Sequence, residues 1–256
     1  MIANYHTHTV RCGHVTGTER EYVEQAVRRG LKVLGFADHS PYLFDGGYVS
    51  PMRMRPEQTR GYCDEVRFLA KEYESDIKVL VGVEMEYYPK AFARTIDWMK
   101  QFRFDHLLLG QHMPGTEPEL AHCIIPSDDK GRFASFIDQM IEAVDTGLFT
   151  YVAHPDMYNF TGDRNYYLTQ VRRFCRKAAD ADIPLEFNLL GFTEGRCYPN
   201  EDFFRTAAEC GNRVILGCDA HSPARVADED EVSRATSYLA GLGITPVETV
   251  ETKPLL

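Results

Sequence analysis

Residues 77–112 read IKVLVGVEMEYYPKAFARTIDWMKQFRFDHLLLGQH, and they hold one full unit of the chain's architecture. The apolar run Ile77–Glu84 reads as a strand, 90–101 as an amphipathic helix, and Leu107–His112 as the next strand. A strand, a crossover helix and a second strand in this length make a βαβ unit, whose strands are parallel. The pattern extends in both directions. Strand-like runs fall at Ile2–His8, Val33–Asp38, Tyr151–His154, Leu185–Asn188 and Val214–Asp219. Helix-like segments fall near 18–29, 56–75, 131–146, 166–181, 200–210 and 228–242. Their starts carry physical signals. Thr18-Glu19-Arg20-Glu21 fits a capping box, with Gly30 as the stop. Pro56 suits a first helical position, and Asp228-Glu229-Asp230-Glu231 sets four acids where the helix dipole favours them. Seven β-α alternations in 256 residues predict an α/β fold closed as a barrel rather than an open sheet with a second domain. No linker or repeat divides the chain, so residues 1–256 read as one domain. Loops Ser40–Arg55 and Met113–Lys130 are long, as expected where a barrel keeps its specificity.

The bulk composition narrows the function. At 44% hydrophobic and 26% charged the chain is that of an ordinary folded protein, large enough to build a core without a metal or disulfide staple. A metal here would serve chemistry. A formal net charge of −10 lacks the basic footprint of a nucleic-acid binder. No apolar run reaches the ~18 residues of a spanning helix, and the start MIANYHTHTVRCGH shows no signal segment. The expectation is a cytoplasmic protein with a small-molecule partner, away from nucleic acid and membrane. Seven cysteines without a CxxC read as reduced thiols.

The histidines decide more. The first strand ends in His6-Thr7-His8, whose imidazoles share a face by strand alternation. His14 follows in the next loop. Further strands end in Asp38-His39, Glu84-Met85-Glu86, Gln111-His112, His154-Pro155-Asp156 and Asp219-Ala220-His221. Seven of the nine histidines thus gather at or just past strand C-termini, which in a barrel converge on one mouth. His106 and His122 read as ordinary core or surface histidines. Imidazole with carboxylate suits Zn, Mn or Fe, and so many donors imply two or three ions, a device for phosphate ester hydrolysis.

The chain resembles the PHP (polymerase and histidinol phosphatase) superfamily, and within it the histidinol-phosphate phosphatases. The resemblance rests on HTH at 6–8 with His14 beyond, ADH at 37–39, GVEMEY at 82–87, FDHLLLGQH at 104–112, AHPD at 153–156, LEFN at 185–188 and CDAH at 218–221. It implies a distorted (β/α)7 TIM-like barrel with the metal site at the C-terminal ends of the strands. It also implies a partition of ligands: His6, His8 and Asp219 on one ion; His112 and His154 on a second, with Glu84 bridging the two; His14, His39 and His221 on a third. Glu86 and Asp38 would orient ligands, and Glu186 and Asn188 would hydrogen-bond behind them. Position 106 is usually aromatic in such proteins, which makes His106 a packing substitution.

Phosphate also calls for non-metal cations. Arg11, Arg53, Arg55, Arg164 and Arg196 lie in loops on the expected active face. Arg196 stands out because GFTEGRCYPN resembles a histidinol-phosphatase loop, and Arg164 is next. Tyr158, Phe160, Tyr198 and loop 40–55 offer aromatic rings to an imidazole. The resulting expectation is a metal-dependent phosphomonoesterase acting on L-histidinol phosphate in histidine biosynthesis. Its catalytic groups would be Glu84, Asp219, His221 and Asp156, with a metal or a protonated side chain near Asp156 or His221 assisting the leaving oxygen. The alternatives are another small phosphoester such as a nucleotide or sugar phosphate, a DNA exonuclease disfavoured by the charge, and an inactive metal-binding regulator.

Overall fold

Seven parallel strands lie in sequence order in a single sheet: β1 (Ala3–Asn4), β2 (Val33–His39), β3 (Lys78–Met85), β4 (His106–Leu109), β5 (Tyr151–Val152), β6 (Leu185–Asn188) and β7 (Val214–Gly217). The computed structural model describes residues 1–117 and 122–256. The first and last strands approach each other past their ends. Thr7 bridges Ala220, with His8 N donating to Ala220 O at 3.1 Å and Ala220 N to His6 O at 3.2 Å. The sheet is therefore a nearly closed barrel, as the sequence predicts.

Helices alternate with the strands: α1 (Glu19–Arg28), α2 (Thr59–Glu72), α3 (Pro89–Met99), α4 (Lys130–Asp145), α5 (Arg164–Asp180), α7 (Glu201–Glu209) and α8 (Glu229–Gly241). The capping box at Thr18 forms, with Thr18 N donating to Glu21 Oε2 at 2.7 Å and Glu21 N to Thr18 Oγ1 at 3.3 Å. Asp228 caps α8 through the Asp230 and Glu231 amides, at 3.1 and 3.2 Å. Pro56 opens a short 3₁₀ turn, Pro56–Gln58, that leads into α2. An unforeseen short helix, α6 (Leu189–Glu194), follows β6 directly, capped by Asn188 Oδ1 on Gly191 N at 2.9 Å. Several expected strands stop early. After β1 the Asn4 side chain bonds His6 O and Thr7 Oγ1, at 3.2 and 2.8 Å, and pulls the chain out of the ladder.

Two cores result. The larger packs helices on the outside of the sheet and includes Tyr22, Tyr62, Phe104, Phe136 and Phe174. The smaller fills the barrel: Ala3, Tyr5, Ala37, Leu80, Leu108, Tyr151, Ala153 and Ile215. The C-terminal segment closes the floor of this lumen. Val247 N donates to Val214 O at 2.7 Å, Lys253 N to Thr150 Oγ1 at 3.0 Å and Leu255 N to Phe104 O at 2.8 Å. With the floor sealed, the accessible chemistry lies at the strands' C-terminal ends. Among the described residues no helix is long and apolar enough to cross a membrane.

Candidate metal centre

Glu84, at the end of β3, is the hub. His154 Nε2 lies 2.6 Å from its Oε1 and His112 Nε2 3.5 Å from the same oxygen; His39 Nδ1 lies 3.0 Å and His8 Nε2 3.8 Å from Oε2. His8 Nε2 sits 2.9 Å and His6 Nε2 3.6 Å from Asp219 Oδ1. The His14 ring centroid is 5.3 Å from His39 and 5.1 Å from His221. All nine expected donors meet at one mouth. The carboxylate has room because residue 110 is glycine: a Cβ there would overlap the Glu84 side chain. Two of the donors stand on left-handed backbone, His154 at φ 29° and Asp219 at φ 48°, which is strained for residues with a Cβ and recurs at functional sites.

Four imidazoles are oriented from behind. Nδ1 of His6 bonds Glu186 Oε1 at 2.8 Å and Nδ1 of His112 bonds Glu86 Oε1 at 2.8 Å. Nδ1 of His14 bonds Cys12 O at 2.9 Å, and Nδ1 of His221 bonds Asp219 O at 2.8 Å. Each acceptor has no proton of its own, so in the neutral ring Nδ1 carries the hydrogen and the Nε2 lone pair is left for a metal. Glu186 also accepts from His154 N at 3.0 Å and from Asn188 Nδ2 at 2.9 Å, so it braces two of the donors. Asp38 lies 3.5 Å from His8 Nδ1.

These groups fit a metal cluster. His6, His8 and Asp219, His6, Glu84 and His154, and His39, Glu84 and His112 each bring donor atoms within 4.8 Å of one another. Both Glu84 oxygens are buried without a hydrogen-bond partner, a costly state that coordination would relieve. Burial pushes the His221 imidazole down to about 4, which favours the neutral, metal-binding form. At His6 burial opposes the charge too, but the carboxylates of Glu186, Asp219 and Glu84 outweigh it and lift the ring to about 10. A site that draws a proton this strongly draws other cations.

The cluster floors a cavity of about 590 Å3, walled by Met52, Ile124, Met157, Leu190, Arg196 and Tyr198 among others. Arg196 donates to Glu194 Oε2 through Nε at 2.9 Å and to Tyr198 Oη through Nη1 at 2.9 Å.

Several expected residues lie elsewhere. Arg164 begins α5 and pairs with Asp202 through Nε and Nη2, both at 2.6 Å, on the exposed surface; it does not line the metal cavity. Asp156 turns behind His154 among Phe133, Phe136, Tyr158 and Phe203, where it accepts from Asn200 N and burial pushes its carboxyl up to about 7. Tyr158 and Phe160 pack on Phe133 instead of facing the mouth. Arg53 is buried between Glu86, with contacts of 2.9 Å, and Glu117, with a closest contact of 2.6 Å. It backs Glu86, which in turn holds His112. Arg11 pairs with Glu19, and exposed Arg55 lines a separate cavity in loop 42–57. Of loop 113–130, residues 118–121 lie outside the described residues. Conversely, His122, read as ordinary, lines the metal cavity; the one cue was its place in the long loop after the His112 strand.

The barrel and its histidine-carboxylate mouth define a class, and the chain belongs to the PHP domain family, whose model matches residues 4–189. It is 29% identical over 231 residues to a Deinococcus radiodurans protein named probable histidinol-phosphatase, covering 88% of each chain. It is 25% identical over 225 residues to a Shewanella protein named probable phosphatase, covering 84% of this chain and 75% of the relative. In fold it matches the histidinol phosphate phosphatase of Lactococcus lactis, solved with zinc, L-histidinol and phosphate. The TM-score is 0.75 at 17% identity, over 97% of this chain and 96% of that one.

Proposed function

We propose that this protein is a metal-dependent phosphomonoesterase that hydrolyses L-histidinol phosphate to L-histidinol and phosphate, as a cytoplasmic enzyme of histidine biosynthesis. The observation that carries the reading is the convergence of nine donor side chains, Glu84 among them, beneath a cavity that also holds a guanidinium. The name of the D. radiodurans relative supports histidinol phosphate as the substrate. His6, His8 and Asp219 would hold one ion, His112 and His154 a second with Glu84 shared between them, and His14, His39 and His221 a third. When bound, two to three Zn, Mn or Fe ions supply positive charge to the phosphoryl oxygens and acidify water at neutral pH.

The chain's own residues do the rest. Arg196 has five N–H bonds, and Glu194 and Tyr198 occupy three of them. The remaining two suit a pair of phosphoryl oxygens. Met52, Ile124, Met157 and Leu190 give the cavity apolar walls beside the reacting ester. Water adds to phosphorus, the P–O bond to the alcohol breaks, and the leaving oxygen takes a proton. Of the two side chains considered for that proton, Asp156 does not line the cavity, and His221 does but would be committed to the third ion through Nε2 and to Asp219 O through Nδ1.

The test is phosphate release by the metal-replete protein from a panel of histidinol phosphate, p-nitrophenyl phosphate, a sugar phosphate and a nucleotide. Histidinol phosphate should exceed the aryl ester by at least ~10²-fold in kcat/KM, roughly 2.7 kcal/mol of differential binding. Equal rates across the panel would favour the second reading, a phosphatase of other small phosphoesters, which the name of the Shewanella relative supports.

A further inference from the structure

His122 is a second polar group aimed at the same cavity, and nothing in the ligand scheme uses it. Its segment is firmly placed. Cys123 N donates to His112 O at 2.8 Å, Asn159 N to Cys123 O at 2.9 Å, and Asn159 Nδ2 to Ile124 O at 3.1 Å. The backbone next to His122 is thereby tied to the metal-ligand strand on one side and to the loop after β5 on the other. The ring itself is tied once: its Nδ1 accepts from Ile124 N at 3.2 Å. A ring nitrogen that accepts carries no hydrogen, so the proton of the neutral ring sits on Nε2. Among the described residues Nε2 has no partner. The ring stands 5.5 Å from that of His112, centroid to centroid, and borders the cavity with Glu84, His154 and Arg196.

We propose that His122 is a substrate-binding residue that donates its Nε2–H to a non-bridging oxygen of the phosphoryl group held over the cluster. The inference rests on the phosphomonoesterase reading of this cavity and adds a residue to it. Arg196 from the loop after β6 and His122 from the loop after β4 then reach one tetrahedral anion across the strand that carries His154. The Ile124 amide is what makes the imidazole a donor in that direction. A histidine free to switch tautomer would offer a lone pair to an anion half the time.

The experiment uses the metal-loaded protein, with inorganic phosphate as the probe and calorimetry as the readout, beside turnover of histidinol phosphate. His122→Phe keeps a ring and removes the donor; His122→Gln returns an amide N–H near the place of Nε2. His122→Phe should keep its metal content and unfolding temperature and bind phosphate at least about tenfold more weakly, with kcat/KM falling in parallel. His122→Gln should recover most of that loss. Wild-type affinity in His122→Phe overturns the proposal, as does failure of His122→Gln to recover binding, which would assign the ring a packing role. Loss of metal in His122→Phe overturns it too, because the ring would then act through His112. If wild type releases phosphate from no ester while His122→Phe still weakens phosphate binding, the enzymatic reading fails and this one stands. A wild type that binds no phosphate sinks both.

Discussion

The two ends of the barrel lumen both bury histidine, under opposite rules. At the floor His106 is alone. Its Nε2 lies 3.1 Å from Tyr5 O, its ring packs edge-on to Tyr5, and glycines at 35 and 82 leave the space a Cβ would take from it. At the mouth imidazoles crowd around carboxylates, with His39 Nδ1 3.0 Å from Glu84 Oε2 while both Glu84 oxygens lack a hydrogen-bond donor. The floor leaves one imidazole nitrogen, His106 Nδ1, buried without a partner, whereas the mouth leaves both oxygens of a buried carboxylate unpaired and is complete only with cations. A buried histidine is therefore structural or functional according to what its neighbours leave unpaired, not according to its burial.

The largest expected effect is at the mouth. Glu84→Gln keeps the shape and removes the charge shared by two proposed ions. kcat/KM should fall by at least about 10³-fold, with metal lost on elemental analysis. Glu86→Gln changes only the brace behind His112, and an effect of about 10- to 100-fold is expected there. A worse loss at Glu86 would mean that the Arg53–Glu86–His112 chain governs the site more than the hub does.

The family and the donor cluster were legible in the sequence, because candidate metal ligands are particular residue types at particular strand ends; the central place of Glu84 came only with the resemblance. His6, His8, His39, His112, His154, Asp219 and His221 could be read that way, while the bracing by Glu86 and Glu186 was implied by the resemblance. The arginines could not. A guanidinium at the end of a long side chain reaches in several directions, so sequence distance from a strand does not choose between Arg196 in the cavity, Arg164 on Asp202 and Arg53 buried on Glu86. Asp156 failed for a related reason: the left-handed turn at His154 redirects the chain that follows. The short helix α6 was missed because six residues carry too little periodicity to register.

The floor gives a smaller effect, and one that depends on pH. Burial pushes the His106 ring from 6.5 down to about 4. A depressed histidine means that the unfolded chain binds the extra proton more readily. Stability is fully present above 6.5 and drains as the pH falls toward 4, by about 3 kcal/mol at roughly 1.36 kcal/mol per unit. His106→Phe keeps a ring and has no such proton. Denaturant unfolding in chelator from pH 7 to pH 4 should show the gap between the two proteins shift by about 3 kcal/mol in favour of the phenylalanine. A gap that stays constant would remove the distinction drawn here between floor and mouth, since His106 would then be taking up a proton in the folded barrel.

The smallest effect sits on the rim, where the mouth meets solvent. Arg196 spends three of its five N–H bonds on Glu194 and Tyr198, and those contacts already hold the guanidinium in place. Lysine at this position keeps the charge, yet its single ammonium cannot hold Glu194, Tyr198 and two phosphoryl oxygens in one plane. If the two spare N–H bonds grip phosphate, Arg196→Lys should lose about 10-fold in kcat/KM. Metal content should not change, because arginine is no ligand. Arg164→Lys is the matched control: its partner Asp202 is on the surface, such exposed pairs contribute little, and activity should stay within error of wild type. A silent Arg196→Lys would leave phosphate to the metal cluster and His122. A crippled Arg164→Lys would require Arg164 to leave Asp202 and reach the mouth.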